Sequence, residues 1–232
     1  MIEIRELRSL QDQFHARMIF DSVWPAMNET QVTANLLQAL VHNGSYLVGI
    51  FDKGKVVGAS FAFPSIAPEI HLHSHMTAFI ESHRNQGLGT QVKLHQWEWA
   101  KTRNYASITW SYDPLVRRNA RLNILKLGAD LISYQPNFYG NMSDELNHGD
   151  ESDRLMVRWD TTGLRPMPRS EIVNPPYDAE LIALPDDIVQ LRRSNPDLSA
   201  QYRREVRESF LVAFGAGKKV IGFSSHNEYV LE

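Results

Sequence analysis

One stretch decides the fold of this chain, and it reads Phe79-Ile80-Glu81-Ser82-His83-Arg84-Asn85-Gln86-Gly87-Leu88-Gly89-Thr90. It lies between a run typical of a strand, residues 69–80, and a run without proline that is typical of a helix, residues 87–103. A helix that begins at these glycines leaves backbone N–H groups unpaired at the positive end of its dipole, which favours a bound anion. Because glycine carries no side chain, a pyrophosphate can approach this backbone closely. The stretch therefore predicts a phosphate-binding turn.

The sequence around the turn predicts an alternation of strands and helices. Strands are predicted at residues 2–7, 46–51, 56–63, 69–80, 106–110, 131–134 and 155–159, and helices at residues 10–24, 30–43, 87–103 and 117–126. Two β-rich runs around the polar turn Asp52-Lys53-Gly54-Lys55 indicate a hairpin. Thr30 is the predicted N-cap of the second helix. The resulting order is β-α-α-β-β-β-α-β-α-β-β.

The spacing Arg84-x-x-Gly87-x-Gly89 resembles the acyl-CoA pyrophosphate loop of the GNAT acyltransferase superfamily. The order of elements over residues 1–160 is also similar to the order in that family. The resemblance implies an α+β fold with a mixed central sheet and helices on both faces. It also implies a CoA-dependent N-acyltransferase whose co-substrate is acetyl-CoA or another acyl-CoA, with no metal.

Two short runs narrow this resemblance. Leu72-His73-Ser74-His75-Met76 and Asn137-Phe138-Tyr139-Gly140 resemble a subgroup of GNAT proteins with an added C-terminal region. Some members of that subgroup are associated with racemases of N-acylated amino acids. The resemblance implies transfer of an acetyl or other short acyl group, with succinyl as an alternative, to the amine of a small molecule such as an amino acid.

Composition limits the classes of partner. The chain has 232 residues, a net charge of -3 and a pI near 6.3, which gives no general attraction to nucleic acid or to an anionic membrane. It contains no cysteine, so it has neither disulfides nor a thiol nucleophile. The N-terminus lacks the pattern of a signal peptide, and no apolar run reaches membrane-spanning length. We therefore expect a soluble, cytoplasmic protein.

Residues beyond the resemblance predict an appended region. We expect a catalytic, acyl-CoA-binding domain at residues 1–160 and a linker with a small α+β subdomain at residues 161–232. Four prolines mark the linker, and the pattern beyond it predicts a helix at residues 197–213 and strands at residues 180–184, 219–224 and 228–231. Formation of a homodimer and covering of the substrate are the two alternatives for the role of this subdomain.

The resemblance assigns acyl-CoA-binding roles to residues of the turn and to one residue of the fourth helix. The candidates are Phe79, Ile80, Arg84, Gln86, Gly87, Leu88, Gly89, Thr90 and Asn119. The backbone of residues 87–90 would hold the pyrophosphate, and residues 79–80 would pair with pantetheine as a strand does. Arg84 would add charge or brace the loop, the alternative being a solvated loop residue.

Three histidines, His71, His73 and His75, alternate along one predicted strand and so share a face. A metal site is the weaker interpretation, because alternate strand positions rarely supply a closed site. Counted back from Gly87, His73 lies where histone-type members of the family carry a glutamate base. His73 or His75 is thus a candidate acceptor of the amine's proton, with a hydrogen-bonded sheet histidine as the alternative. Glu81 is a further candidate.

The remaining candidates concern the leaving thiolate and the substrate. Many family members use a tyrosine on the fourth helix as the acid, but Ile124 occupies that position here. Tyr139, Tyr134 or water would then supply the proton. The missing tyrosine and the added C-terminal region also leave open a module of this fold that binds acyl-CoA or a partner without turnover. Asp113 is a candidate for binding the amine or for starting a turn before Pro114. Arg154 is a candidate for binding a substrate carboxylate, with surface ion pairing as the alternative.

Overall fold

The computed structural model describes residues 1–25, 30–140 and 149–232. In these ranges, the strands are β1 (Ile2–Glu6), β2 (Tyr46–Asp52), β3 (Lys55–Ser65), β4 (His71–Phe79), β5 (Ser107–Tyr112), β6 (Asp130–Gln135), β7 (Arg154–Asp160), β8 (Glu180–Ala183), β9 (Val220–Phe223) and β10 (Glu228–Leu231). The helices are α1 (Leu10–Val23), α2 (Ala34–His42), α3 (Leu88–Lys101), α4 (Arg117–Ala120), α5 (Ile188–Ser194) and α6 (Pro196–Gly215). A short 3₁₀ turn, Glu81–His83, precedes α3, and a π-helical segment, Arg121–Lys126, follows α4.

The strands form a mixed seven-stranded sheet in the order β1-β2-β3-β4-β5-β7-β6 and a three-stranded sheet in the order β8-β10-β9. Neighbours pair in antiparallel fashion in the β1-β2-β3-β4 run and in the β6-β7 pair, whereas β4 and β5 are parallel. The predicted α+β class, the order of elements through β7 and the small C-terminal sheet are therefore confirmed.

The chain divides into two compact units, residues 1–110 with 160–165 and residues 111–159 with 166–232. The division into a catalytic domain at residues 1–160 and a C-terminal region at residues 161–232 stays a prediction. In the described part of the chain, no helix is long and apolar enough to cross a membrane.

In the first unit, helices lie against both faces of the strands. The core of α1 and α2 packs on Leu47, Phe61, Met76 and Ala78, and Val92 of α3 packs on the other set of strand side chains, Ile50 and Val57. Both N-terminal helices begin at capping residues. Ser9 and Asp12 form a reciprocal capping box at α1. Thr33 caps α2, so the prediction of Thr30 is wrong by three residues.

In the second unit, the C-terminal elements match their predicted places apart from one helix. α6 and the β9–β10 hairpin lie close to the predicted bounds, whereas the sequence analysis contained no helix at α5. α5 begins at Asp187, whose carboxylate accepts hydrogen bonds from the backbone of Val189 and Gln190. The next helix begins two residues after α5 ends, so α5 and α6 meet in a tight corner.

Candidate active site

The predicted glycine turn lies between β4 and α3. Gly87 is the N-cap of α3 and has a φ of 77°, in the left-handed region that favours glycine. A Cβ at this position would have no atom within 4 Å, so the requirement for glycine comes from the backbone angle, and the space beside it is open. The first hydrogen bond of the helix runs from the Gln91 N–H to the Gly87 carbonyl. The N–H groups of Leu88, Gly89 and Thr90 therefore lie in the first turn, where a helix has no partners for them.

Two side chains brace this turn from within. Arg84 Nε donates to the Phe79 carbonyl at 3.1 Å, and Gln86 Nε2 donates to the Ser82 carbonyl at 2.8 Å. Arg84 is exposed and, within the described residues, forms no ion pair. One edge of its guanidinium therefore fixes the loop while the rest faces solvent beside Gly87. The side-chain amide of Gln86 is bonded within the loop, to Ser82.

We expect Arg84→Ala to weaken acetyl-CoA binding by about fivefold at low ionic strength, which is the upper range for an exposed charge contact. The loss should shrink in 1 M salt, where the screening length falls to about 3 Å. Isothermal titration calorimetry at several salt concentrations measures both effects. Arg204→Ala is the matched control, because Arg204 is exposed on α6 and its loss changes the net charge equally. Equal affinities for the two variants at every salt concentration would contradict the assignment.

β4 loses its pairing with β5 well before the turn, while it stays paired with β3 up to Phe79. Its pairing with β5 covers only Leu72 with Ile108 and His73 with Thr109. On the β3 side, Phe61 lies opposite Met76 while Ala62 lies opposite Ser74, so His75 is an extra residue in β4. Such a bulge takes the extra residue out of the ladder and bends the strand. From Ser74 onward, β4 therefore has an edge that no β5 residue of the ladder covers.

The two residues predicted to pair with pantetheine, Phe79 and Ile80, differ in the direction in which their backbone N–H and carbonyl groups point. The N–H of Ile80 donates to the Val57 carbonyl, and its own carbonyl accepts from the His83 N–H, both at 3.0 Å. Ile80 thus faces β3, and its polar backbone groups are already used, which argues against the predicted role. Phe79 precedes it in β4 and points its backbone to the opposite side, where its carbonyl accepts from Arg84. Phe79 stays in the candidate site.

His73 and His75 lie together on one face, as predicted. Their ring centroids are 6.1 Å apart, and both rings contact Phe63, at 5.2 and 5.7 Å. His73 Nδ1 shares a hydrogen bond of 3.1 Å with the Thr109 hydroxyl. In the described part of the chain, Nε2 of His73 has no hydrogen-bond partner. His71 is separate, since it is buried and its Nδ1 contacts the Glu69 carbonyl.

Both candidate bases are neutral near pH 7. Burial lowers the pKa of His73 to about 4, and the charges of His75, His71 and Lys93 act in the same direction. Burial also lowers the pKa of His75, although the residue as a whole is more exposed than His73. A neutral imidazole can accept a proton, and the depressed pKa makes it a weaker base than a free histidine. Among the residues that the structure describes, the three histidines belong to no group of metal-binding side chains.

Asp113 lies in the second unit and does not offer its carboxylate to a substrate. It is 7% exposed, and Arg203 donates to both of its oxygens at 3.0 and 3.1 Å. Arg192 and the Leu115 N–H also bind it, and both arginines bind Asp150 as well. Burial alone would raise the pKa of Asp113, but the two arginines hold it well below its usual range. The amine-binding role considered above gives way to a structural one that fixes α5 and α6.

We expect Asp113→Asn to lower the free energy of unfolding by about 3–5 kcal/mol, the usual cost of removing one partner of a buried ion pair. Arg192 and Arg203 would then share only Asp150 of this pair of acids. Urea unfolding of the parent and the variant measures the difference. Asp186→Asn is the control, because the Asp186 side chain is 98% exposed while pairing with Arg117. A loss no larger than that of the control would contradict the structural role.

The candidate acids and the other substrate contacts also lie in the second unit. The Tyr134 hydroxyl donates to Asp153 at 2.6 Å, and burial with this carboxylate raises the pKa of Tyr134 far above its usual value, so it is a poor acid. Tyr139 is exposed, with the Arg154 guanidinium 5.3 Å from its ring. Arg154 is buried and donates to the Asp153 carbonyl, so it is not a surface residue. Asn119 is half-buried on α4.

Ile124, at the position that the family gives to tyrosine, is completely buried in the π-helical segment. A buried alkyl side chain has no proton to donate. Residues 141–148, which precede Arg154 in the sequence, lie outside the described residues.

The sequence analysis did not single out Thr109, which orients His73, or Lys93, a buried lysine of α3. Lys93 had a signal in the sequence. It falls on the same helical stripe as Gln96, Trp97 and Ala100, at spacings of three, four and seven residues, and all four are buried. A lysine on the buried face of a helix is rare, so this spacing indicates a buried cation.

Comparisons with known proteins agree with this geometry. The model of the acetyltransferase (GNAT) family matches residues 6–122. A search of curated protein sequences found no match. Among solved structures, ribosomal-protein-S18-alanine N-acetyltransferase from Escherichia coli is 15% identical and superposes with a TM-score of 0.54 over 76% of this chain and 99% of its own.

Two further structures show the same fold. NAA60 from Arabidopsis thaliana, in complex with a bisubstrate analogue, is 13% identical, with a TM-score of 0.56 over 71% of this chain and all of its own. An N-acetyltransferase from Staphylococcus aureus is 16% identical, with a TM-score of 0.51 over 70% of this chain and 99% of its own. The family match covers half of the chain, and the order of elements and the glycine turn are those expected from the resemblance. This chain belongs to the acetyltransferase (GNAT) family, whose members are CoA-dependent N-acyltransferases that use acetyl-CoA.

Proposed function

We propose that this protein transfers an acetyl or other short acyl group from acyl-CoA to the amine of a small molecule, by direct attack of the amine. The observation that carries the proposal is the end of β4, where the strand leaves β5 after His73, bulges at His75 and runs into the glycine turn. An extended thioester arm and a pyrophosphate need an open strand edge and free N–H groups in that order along the chain. β4 and the first turn of α3 supply both.

The turn residues supply recognition of the co-substrate. The N–H groups of Leu88, Gly89 and Thr90 would donate to the pyrophosphate, and the solvent-facing part of Arg84 would add charge. Phe79 would present its backbone to the pantetheine arm. Acyl-CoA supplies a thioester carbonyl that an unprotonated amine can attack. Gln86 acts by holding the turn in shape, since its amide is bonded to Ser82.

The reaction requires an acceptor for the proton that the substrate ammonium loses before the neutral amine attacks the thioester. His73 is our first candidate, because the Thr109 hydroxyl fixes its ring and leaves Nε2 without a protein partner in the described residues. His75, on the same face and more exposed, would pass the proton to solvent or replace His73. Tyr139, an exposed tyrosine, is the proposed donor to the departing thiolate. Arg154 and Asn119 stay proposals as contacts of the substrate and of CoA.

Two features concern the identity of the acceptor. The net charge of -3 gives no general attraction to an anionic macromolecule such as nucleic acid, and the resemblance to a subgroup linked to N-acylated amino acids favours a small amine. The Escherichia coli structure, by contrast, is named for acetylating an alanine of a ribosomal protein. A peptide N-terminus is therefore the alternative acceptor within the same chemistry. A homodimer stays a proposal.

The release of free CoA thiol tests the function. Acetyl-CoA and succinyl-CoA would be incubated separately with the protein, with amino acids, with small amines and with peptides that carry a free N-terminus. We expect thiol release that depends on an amino acid or small amine and product mass increased by the acyl group. Thiol release with peptides but not with small amines would contradict a small-molecule acceptor and would indicate acylation of a protein N-terminus.

A second candidate function rests on a specific observation, the buried Ile124 in place of an acid. On this view the protein binds acyl-CoA without turnover. The same experiment separates the two candidates when acetyl-CoA binding is measured in parallel by calorimetry. Tight binding with no thiol release for any acceptor would favour the binding module.

A further inference from the structure

Lys93 is a cation inside the interface between α3 and the sheet. It is 7% exposed, and its Nζ donates to Ser74 Oγ at 2.7 Å and to Gln96 Oε1 at 3.2 Å. The third side of the ammonium faces Trp110, whose ring centroid is 3.9 Å away. Ser74, Gln96 and Trp110 are all buried. Within the described residues Lys93 has no carboxylate partner.

This arrangement costs free energy. A buried ammonium without an opposing carboxylate loses its hydration and regains only neutral hydrogen bonds and a cation–π contact. Burial lowers the pKa of Lys93 to about 7, so its charge is only partly retained near neutrality. A methionine would fill a similar volume without this cost. The position of Ser74, to which Lys93 is bonded, suggests why a buried lysine is present here.

Ser74, the partner of Lys93, lies where β4 leaves β5 and where its pairing with β3 is interrupted by the bulge at His75. It is the last residue paired with β3 before the bulge, and it follows His73, the last residue paired with β5. Neither sheet ladder holds the next residue, His75, in place. The hydrogen bond from α3 therefore holds the residue directly before His75, the one position of β4 that neither ladder pairs.

We propose that Lys93 is a positioning residue for acyl transfer, because its ammonium holds Ser74 and thereby fixes the stretch of β4 that presents His73 and His75. The inference rests on the proposed function for the identity of the reaction. Lys93 does not touch the substrate in this account. It acts through the strand and through its charge, since its ammonium contributes to the low pKa of His73.

The charge effect can be isolated because few ionisable groups surround this lysine. On β4 they are His71, His73 and His75. The part of β5 in the same unit, residues 107–110, carries none, and the nearest ionisable neighbours on α3 itself include His95, whose pKa is also lowered by burial. Removal of the Lys93 charge should therefore be felt first by the histidines of β4.

The test uses the full chain with Lys93→Met, and it has two readouts. The first is the titration of His73, followed by NMR of protein labelled at histidine, in which we expect its pKa to move upward from the parent value of about 4. The second is steady-state turnover with the best acceptor. We expect kcat to fall by up to about 100-fold, the cost of misplacing a reacting group by about 1 Å, with KM for acyl-CoA unchanged.

Two further variants make the test specific. Lys101→Met removes an exposed lysine two turns further along α3, whose Nζ donates to the Gly163 carbonyl, and it should change neither readout. Ser74→Ala removes the hydrogen-bond acceptor and keeps the lysine charge, so it should lower kcat with KM for acyl-CoA unchanged, while the contribution of Lys93 to the low pKa of His73 stays in place. It also serves if the methionine variant does not fold.

The outcomes separate this proposal from the proposed function. An unchanged His73 titration in folded Lys93→Met would overturn the positioning role, even if kcat fell, because the loss would then be a general packing defect. Unchanged kcat with a shifted titration would overturn it too. If the parent protein released no thiol with any acceptor, the proposed function would fail, while a moved His73 titration in Lys93→Met would still support the coupling of Lys93 to β4.

Discussion

We expect Gly87→Glu to lower the affinity for acetyl-CoA by about 100-fold or more. The substitution places a carboxylate in the open space beside the first turn of α3, where the pyrophosphate would bind. Like charges in contact cost several kcal/mol, and each 1.4 kcal/mol corresponds to a factor of ten. Turnover at subsaturating acetyl-CoA should fall by the same factor. Isothermal titration calorimetry measures the affinity directly.

The hairpin turn offers a closely matched control. Gly54 has a φ of 78° against 77° at Gly87, and in both cases a Cβ would meet no atom within 4 Å. Glutamate at either position therefore brings the same charge and a similar backbone strain, roughly 1–2 kcal/mol for a left-handed residue. We expect similar losses of stability and undiminished acetyl-CoA binding in Gly54→Glu. Equal affinities of the two folded variants would contradict a role for the turn.

The second large effect concerns His73. We expect His73→Ala to reduce kcat by about 10²- to 10⁴-fold, the range for removal of a general base, while acetyl-CoA binding is retained. Binding and chemistry should separate because the turn lies at the other end of β4 from His73. Steady-state kinetics at saturating acceptor, together with calorimetry for acetyl-CoA, measure the two quantities.

His73→Asn distinguishes a proton acceptor from a structural histidine. The asparagine amide can replace Nδ1 in the hydrogen bond with Thr109, but it has no counterpart of Nε2. A catalytic role predicts that this variant is as slow as His73→Ala. Recovery of near-parent turnover would assign His73 to the sheet, and His75 would become the candidate.

The pH dependence follows from the low pKa of His73. Its neutral form, which accepts the proton, predominates above about pH 4, so His73 should not titrate between pH 8 and pH 5. A decline in rate within that range would belong to protonation of the amine substrate or to another group. The folded state also disfavours the charged ring, so stability should fall as the pH drops from 6.5 toward 4.

The order of elements and the glycine turn could be predicted because each rests on local chemistry. Gly87 needs a left-handed backbone angle at the start of a helix, and Gly54 needs one in a two-strand turn, so both leave a signal in the sequence. The N-cap of α2 could not be located from the sequence alone, because Thr30 and Thr33 both precede the helix. Thr30 binds Asp21 and the Val32 carbonyl instead of capping the helix.

The site details depend on pairing between distant segments, which the sequence does not display. The bulge at His75 exists only as a difference in register between β3 and β4. The hydrogen bond from His73 to Thr109 joins residues 36 positions apart. Asp113 looked available beside Pro114, but arginines about 80 and 90 residues later bury it. The predicted contact of Ile80 with pantetheine depended on the same kind of pairing, because its backbone N–H and carbonyl are bonded to Val57 and His83.

The central claim is that the turn between β4 and α3 binds the pyrophosphate of acyl-CoA. The most direct measurement is the backbone amide spectrum of ¹⁵N-labelled protein during titration with acetyl-CoA. We predict that the largest shifts fall on the amides of Gly87, Leu88, Gly89 and Thr90, and that inorganic pyrophosphate at higher concentration moves the same signals. Saturable binding of acetyl-CoA that leaves these four amides unmoved would contradict the account.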